Sequence, residues 1–504
     1  MPIRLPTFRL KLAASLLLVA GADVLLFDRY PGAGVGVLSL SLLAAAVATN
    51  PAILHRRLGI FALVAAAWFA LLQVERATLL GGLLFALALG VAALAPRAGE
   101  GEDALRWTRR LAVAGVKGLF GPILDLRPLR QAAGRRPGPR APARLAAAAL
   151  PVAGGAVFLG LFAAANPLIA EAFARLRLPA IEPARLVFWG LAGAVAWTAL
   201  RPRGLKPRLA SRPRRIRDGA RPVASTASVA ASLVVFNLVF ALQNGLDAAF
   251  LWSGARLPSD MSHAEYAHRG AYPLVATALL AGAFVLVFLR PGSATSASRP
   301  VRALLAAWIA QNLFLLVSTA LRTLEYVDAY ALTRTRIAAL LWMGLVAAGL
   351  ALIAWRLLAG RSGRWLVNAN AACAGAVLVL CSLVDLGAVA AAWNVRHARE
   401  VGGRGVSLDL CYLGRLEGAA LVSLAELEQR PLPPDLADRV RWKRQEVRAG
   451  ILRRQADWRS WRWRDARRLA RDAGLPGALP PPLPGERGCD GRPRPLTPPA
   501  KPGT

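Results

Sequence analysis

The stretch LVATALLAGAFVLVFL, residues 274–289, carries no charged side chain and is apolar enough to lie inside a lipid bilayer. Similar runs recur along almost the whole chain of 504 residues, of which 56% are hydrophobic. Soluble proteins contain about 45–50% apolar residues, which do not cluster into such runs. The sequence therefore predicts an all-α fold, a polytopic bundle of transmembrane helices.

Eleven candidate spans can be distinguished by their apolar runs. They lie near residues 10–27, 33–49, 58–73, 77–95, 145–165, 185–200, 223–243, 271–289, 303–321, 335–356 and 366–389. Several are short for a bilayer core of about 30 Å, so tilt or flanking residues must complete them. The first run follows Arg4, Arg9 and Lys11 as a signal peptide would, but it resumes as VLLF after Asp23, which favours a retained span.

The basic residues are distributed as in a membrane protein. The net charge of +34 arises from 63 Lys and Arg against 29 Asp and Glu. Such an excess is also typical of nucleic-acid-binding proteins, but here it is concentrated in alternate connections, with eleven Lys and Arg in 96–144 and nine in 201–222. We therefore predict that the N-terminus and these two loops are cytoplasmic, that the loops contact anionic lipid, and that nucleic acid is not a partner.

Three regions are expected along the chain. Residues 1–394 form the transmembrane bundle, 395–475 a basic amphipathic helical tail, and 476–504 a Pro/Gly-rich, disordered end. The stretch DALRWTRRLAVAGVKGLF, within the first basic loop, has the spacing of an amphipathic helix on the inner membrane surface. An odd number of spans places the tail outside, whereas its own basic residues favour the cytoplasm, so its side stays open.

The tail is predicted to contain two short helices separated at Gly402–Gly403 and a longer helix over about 436–472. Tryptophans alternate with arginines in that longer helix, as on a surface that stacks nucleic-acid bases. A helix that lies on the membrane, packs on its own bundle or binds a protein partner is the favoured interpretation.

Polar side chains recur on the outer halves of several spans. The segment EYAHRGAYPL (265–274) places four of them on one helix face, either as an interfacial anchor or as part of a site. Ionisable groups at membrane depth are costly and pair with one another inside a bundle, so we predict that these side chains converge in one outward-opening cavity. The candidate site consists of Asn244, Asp247, Glu265, His268, Arg269, Tyr272, Arg322, Glu325, Tyr326 and Asp385.

The chemistry of this cluster is limited. Its acids and His268 could transfer protons, and Arg269 with Arg322 could hold an anionic headgroup or a carboxylate. The motifs H-E-x-x-H, G-x-S-x-G and Walker A are absent from the sequence, so no cofactor, metal or enzymatic activity is predicted. The four cysteines lack metal-ligand spacing, and a disulfide framework is not expected.

Several segments point to a known family. They occur in the order ADVLLF (22–27), ALQNGLDAAFLW (241–252), EYAHRGAYPL (265–274), YVDAYALTRTRIAALLW (326–342), WNVRHARE (393–400) and LDLCYL (408–413). Together they resemble the bacterial membrane-protein family catalogued as domain of unknown function 4173, most closely over about 225–415. The resemblance implies a multi-pass protein of the bacterial inner membrane and implies no activity.

Three functions remain open from the sequence. The first is a transporter-like or ligand-binding membrane protein with its site in the outer polar cluster. The alternative is a regulatory or scaffold protein that presents its tail to a partner. The third is a membrane-embedded transferase that acts on a lipid or glycan intermediate.

Overall fold

The computed structural model describes most of the chain, and all positions named below belong to this part. It covers residues 5–99, 101–122, 124–125, 182–202, 225–252, 294–475 and 486–493, together with Leu280, Phe284 and Phe288. These residues form helices joined by turns, and no β-strand occurs among them. The predicted all-α membrane bundle is therefore confirmed.

Ten helices form the bundle within the described residues. They are α1 (Leu5–Leu26), α2 (Ala33–Thr49), α3 (Arg57–Glu75), α4 (Leu79–Leu94), α5 (Ala104–Leu119), α6 (Pro183–Leu200), α7 (Thr226–Trp252), α8 (Arg299–Tyr330), α9 (Arg334–Leu358) and α10 (Gly363–Leu383). Seven of them, α3, α4 and α6 to α10, are long and apolar enough to cross a membrane, and α2 is apolar but shorter. The expected span 145–165 lies outside the described residues, as does 271–289 except for three positions.

The surface of the bundle is that of a protein dissolved in lipid. Large apolar side chains such as Leu17, Phe61 and Leu83 are mostly exposed along the spans. Small residues such as Ala66 and Ala70 are fully buried instead, where they let neighbouring helices approach closely. This pattern is expected where the surrounding solvent is as apolar as the side chains.

The two ends of the bundle differ. At one end, here called the basic end, α5 lies against the start of α10: the Ala104 amide donates to Asn368 Oδ1 at 2.8 Å, and Arg364 donates to the Gly101 carbonyl at 2.6 Å. Helix α10 has 21 residues and so extends about 30 Å to the opposite end. This opposite end, here called the tail end, carries the C-terminal helices.

Five further helices cover the tail end. They are α11 (Leu386–His397), α12 (Leu410–Arg415), α13 (Leu421–Glu428), α14 (Pro434–Gln455) and α15 (Trp463–Ala473). Their core is formed by leucines and alanines of α11 to α14, among them Ala390, Leu413 and Leu424, and it also includes Val327 and Leu332 at the ends of the spans. The tail therefore shares one hydrophobic core with the bundle.

Two predicted helix boundaries are wrong. The last span ends at Leu383 and not near 389, because the Asp385 side chain accepts hydrogen bonds from the first amides of α11 and so starts a new helix. The single helix expected over about 436–472 is two helices, with a turn after Gln455.

The turn between α14 and α15 is held by the start of α2. The Ala33 amide donates to the Trp461 carbonyl and the Gly34 amide to the Arg459 carbonyl, each at 2.8 Å. A Cβ on Gly32 would lie 2.3 Å from the Ser460 carbonyl carbon, so only glycine permits this approach. Two amides of a helix N-terminus, which have no partner within the helix, thus receive acceptors from the tail.

A disulfide joins Cys411 to Cys489, although no disulfide framework is expected from the sequence. The bond links α12 to residues 486–493, which form a turn inside the end for which disorder is predicted. Arg487 Nη1 also lies 2.6 Å from Asp438 Oδ2, on α14. The pairing could not be read from the sequence, because the two cysteines are 78 residues apart and only the fold brings them together.

Candidate functional site

Polar side chains of α7 and α8, three of them from the predicted site, meet between these two helices. Gln311 donates to Asn237 Oδ1 at 2.7 Å, and Asn244 donates to the Gln311 carbonyl at 3.1 Å. Further along, Arg322 Nη2 lies 2.5 Å from Asp247 Oδ1, and both side chains are almost completely buried. Asn237, Asn244, Gln311 and Asp247 contribute amide or carboxylate groups to this contact between the helices. Arg322 is the cation that balances the negative charge of Asp247.

Three other residues of the predicted site lie elsewhere. Glu325 is exposed, and the Tyr326 ring lies beneath the Arg336 guanidinium, with 4.1 Å between Cζ and the ring centroid. Asp385 forms its ion pairs with Arg76 and with arginines of the tail. The remaining four residues, Glu265, His268, Arg269 and Tyr272, lie outside the described residues.

Asp385 occupies the centre of a group of guanidiniums. Its Oδ1 lies 3.2 Å from Arg76 Nη1, and its Oδ2 lies 3.8 Å from Arg464 Nη1 and in contact with Arg468. Burial raises the pKa of the Asp385 carboxyl, but the surrounding arginines, Arg468 before Arg76, offset this effect and hold its pKa below the ordinary value. The carboxylate is therefore ionised and fixes the arginines that surround it.

Helix α15 supplies most of these arginines. Its sequence WRDARRLARDA places Arg464, Arg467, Arg468 and Arg471 at positions i, i+3, i+4 and i+7, which share one helix face. This face is not identified from the sequence, although its spacing is present, because these arginines are assigned there to one long helix over about 436–472 that lies on the membrane or packs on the bundle. Only the fold shows that the face turns toward Asp385 and Glu75.

The arginine face borders a cavity of about 470 Å³ at the tail end, here called the arginine cavity. Arginines outnumber carboxylates five to three in its lining. The lining consists of Glu75, Asp385, Ala388, Ala392, Arg396, Ala419, Val422, Ser423, Glu426, Arg464, Arg467, Arg468 and Arg471. The volume lies within the range of small-molecule sites, about 300–1,000 Å³.

The arginines of the cavity fall into two groups. Arg464 and Arg468 are 13% and 14% exposed, and they are held by Glu75 and Asp385. Arg467 and Arg471 are 59% and 69% exposed, and each forms an ion pair at the surface, Arg467 with Glu75 and Arg471 with Glu426. The first pair forms a fixed floor, whereas the second pair lies at the mouth and is accessible to a ligand.

Arg396 adds a third cation to the mouth. It is exposed on α11, and it forms no ion pair with any described residue. Each mouth guanidinium can donate two parallel hydrogen bonds to a carboxylate or phosphate, and this planar geometry distinguishes arginine from lysine. The arrangement is therefore suited to binding an anion. Among the described residues, no group of three or more His, Cys, Asp or Glu side chains could hold a metal ion.

Comparison with known proteins places the chain in a family. No curated protein and no solved structure matches it. A model of the family described as domain of unknown function (DUF4153) matches residues 58–427, which include the segments 265–274, 326–342 and 393–400. The family number expected from those segments, 4173, is wrong, while the expectation of a domain of unknown function is confirmed. This multi-pass membrane protein belongs to the DUF4153 family.

Proposed function

We propose that this chain is a ligand-binding protein of the bacterial inner membrane that captures an anionic ligand at its outer surface, in the arginine cavity. The observation that carries the proposal is the excess of arginines over carboxylates in the cavity lining, together with the exposure of the mouth arginines. Arg396, Arg467 and Arg471 bind the ligand directly. Asp385 and Glu75 hold the floor arginines in place.

Two observations support an outer location for the tail end. Disulfides persist in oxidising compartments and are rare in the cytosol, and the Cys411–Cys489 bond belongs to the tail. The basic loop that contains α5 lies at the other end of the bundle. Because loops rich in Lys and Arg favour the cytoplasm, that other end is assigned to the inner side. On this topology the arginine cavity opens outside the cytoplasm.

The burial of the tail favours ligand binding over a scaffold role. Apolar side chains of α12 and α13, such as Leu413 and Leu424, are buried against α11 and the span ends, so the tail forms the wall of the cavity. If the tail were an extended segment that binds a protein partner, such apolar side chains would be exposed in the absence of that partner.

Calorimetric titration of the full chain in nanodiscs of neutral lipid, with inorganic pyrophosphate as the probe, tests the proposal. Arg467→Gln/Arg471→Gln should weaken binding at least tenfold, because about 1.5–3 kcal/mol is lost with each hydrogen bond to a charged group. Arg453→Gln is the matched control, since Arg453 is an exposed arginine of α14 that does not line the cavity. Equal pyrophosphate binding by the double variant and the control would refute the proposal.

A further inference from the structure

The arginine cavity lies at the height where the spans end. Glu75 is the last residue of α3, and Asp385 follows the end of α10 by two residues. Arg464 Nη2 also donates to the carbonyl of Leu383, the last residue of α10, at 3.0 Å. Since α3 and α10 are both long and apolar enough to cross a membrane, their ends mark the boundary between the hydrocarbon core and the headgroups.

Aromatic residues of α15 and of the turn before it match the same boundary. Trp463, the first residue of α15, is 57% exposed, and the Arg467 guanidinium lies 5.7 Å from its ring centroid. Trp458, in the preceding turn, is exposed to the same extent. Tryptophan is enriched at the membrane–water interface, where its apolar ring meets lipid and its N–H meets water. The mouth of the cavity therefore lies among lipid headgroups.

The lining of the cavity suits a headgroup as well as an anion. Ala388, Ala392, Ala419 and Val422 form apolar wall positions, and Ser423 adds a hydroxyl group. A phospholipid presents a phosphate to the mouth arginines, and the first methylene groups of its acyl chains can pack against apolar side chains. A phosphate dissolved in water has no part that would use these walls.

We infer that the ligand of the arginine cavity is the phosphate group of an anionic phospholipid in the outer leaflet, an assignment that rests on the proposed function. Arg467 and Arg471 donate hydrogen bonds to the phosphate oxygens, and no covalent bond is formed or broken. The headgroup enters from the bilayer plane, so its local concentration does not depend on soluble anions.

Native mass spectrometry of the full chain, released from nanodiscs that contain phosphatidylglycerol in a phosphatidylcholine background, tests this inference. The wild-type protein should retain phosphatidylglycerol at least tenfold more than Arg467→Gln/Arg471→Gln, and Arg453→Gln should retain as much as the wild type. The basic loops also attract anionic lipid, but they are unchanged in all three proteins. Arg467→Lys/Arg471→Lys should restore only part of the binding, because an ammonium group preserves the charge and lacks the planar fork.

A second measurement uses only the wild-type chain. A phosphatidylglycerol analogue with a photoreactive group near its headgroup should crosslink to peptides that contain residues 386–396 or 463–473. Crosslinks confined to the basic end would overturn the inference. Pyrophosphate binding that depends on Arg467 and Arg471, without retention of phosphatidylglycerol, would overturn the lipid assignment and leave the proposed function intact. Loss of neither ligand in the double variant would refute both.

Discussion

Replacement of Asp385 by Asn removes one negative charge from a site that holds three guanidinium groups. Asn is nearly the same size and caps helices as well as Asp does, so the bonds from the Gly387 and Ala388 amides can be retained. The substitution therefore isolates the charge from the cap. We expect it to loosen α15 from the bundle.

The magnitude follows from the geometry of the site. Two unit charges 3.2 Å apart, the distance between Arg76 and Asp385, attract by about 5 kcal/mol at an effective dielectric constant of about 20. Desolvation and repulsion among the arginines oppose this attraction, and removal of one partner of a buried pair costs about 3–5 kcal/mol in other proteins. Glu75 remains beside Arg464, so we expect a loss of about 2–3 kcal/mol, a factor of roughly 30 to 150 in the docking equilibrium of α15.

Hydrogen exchange of the full chain in nanodiscs measures this loss. The amides of α15 should exchange roughly 30 to 150 times faster in Asp385→Asn than in the wild type, since exchange reports local opening. Asp435→Asn is the control: Asp435 is 78% exposed and pairs with Arg439 one helical turn away, so its removal should cost less than about 0.5 kcal/mol. If the two variants changed exchange in α15 equally, the electrostatic account of tail docking would be wrong.

Three further predictions follow from the ion pairs and the disulfide. Because the arginines lower the pKa of Asp385, docking of α15 should be fully stabilised above the ordinary value of 3.8 and lost as the pH falls below it, and limited proteolysis of Asp385→Asn should lack this dependence. Asp247→Asn or Arg322→Met alone should lower the free energy of unfolding by about 3–5 kcal/mol, and the double variant should lower it by less. If thermal denaturation showed that the double variant loses as much stability as either single variant, a paired role would be contradicted. Cys411 should resist alkylation in cells until a reductant is added, whereas alkylation without reductant would place the tail in the cytoplasm. The substitution Cys411→Ser should destabilise the tail by about 4–5 kcal/mol on a chain-entropy estimate.

The fold class was accessible from the sequence because lipid imposes a simple rule. Only helices satisfy their backbone groups inside a bilayer, so each long apolar run predicts a helix. The starts of α4 and α10 are likewise readable, since Thr78 and Ser362 are residues that favour helix N-termini and both accept a bond from the backbone. Local composition is sufficient for both inferences.

The arginine cavity was not accessible in the same way. Asp385 appears in the sequence as a single carboxylate near the end of a span, and its partners Arg464 and Arg468 follow about 80 residues later. Ion pairs between distant elements leave no periodic signal. The arginine face of α15 does leave one, but the sequence does not state which surface that face meets. The partner depends on the turn after α14, and that turn depends on contacts with α2.

Those contacts have a consequence for how the protein is made. Ala33 and Gly34 are synthesised early, whereas Arg459 and Trp461, whose carbonyls complete their hydrogen bonding, are synthesised only when about nine-tenths of the chain is complete. A product that terminates before them keeps two bare amides at a helix N-terminus, each costly to leave unpaired near lipid. The hydrogen bonding at the start of α2 is therefore complete only when the last helices are present. Truncated copies should be recognised and degraded as incomplete.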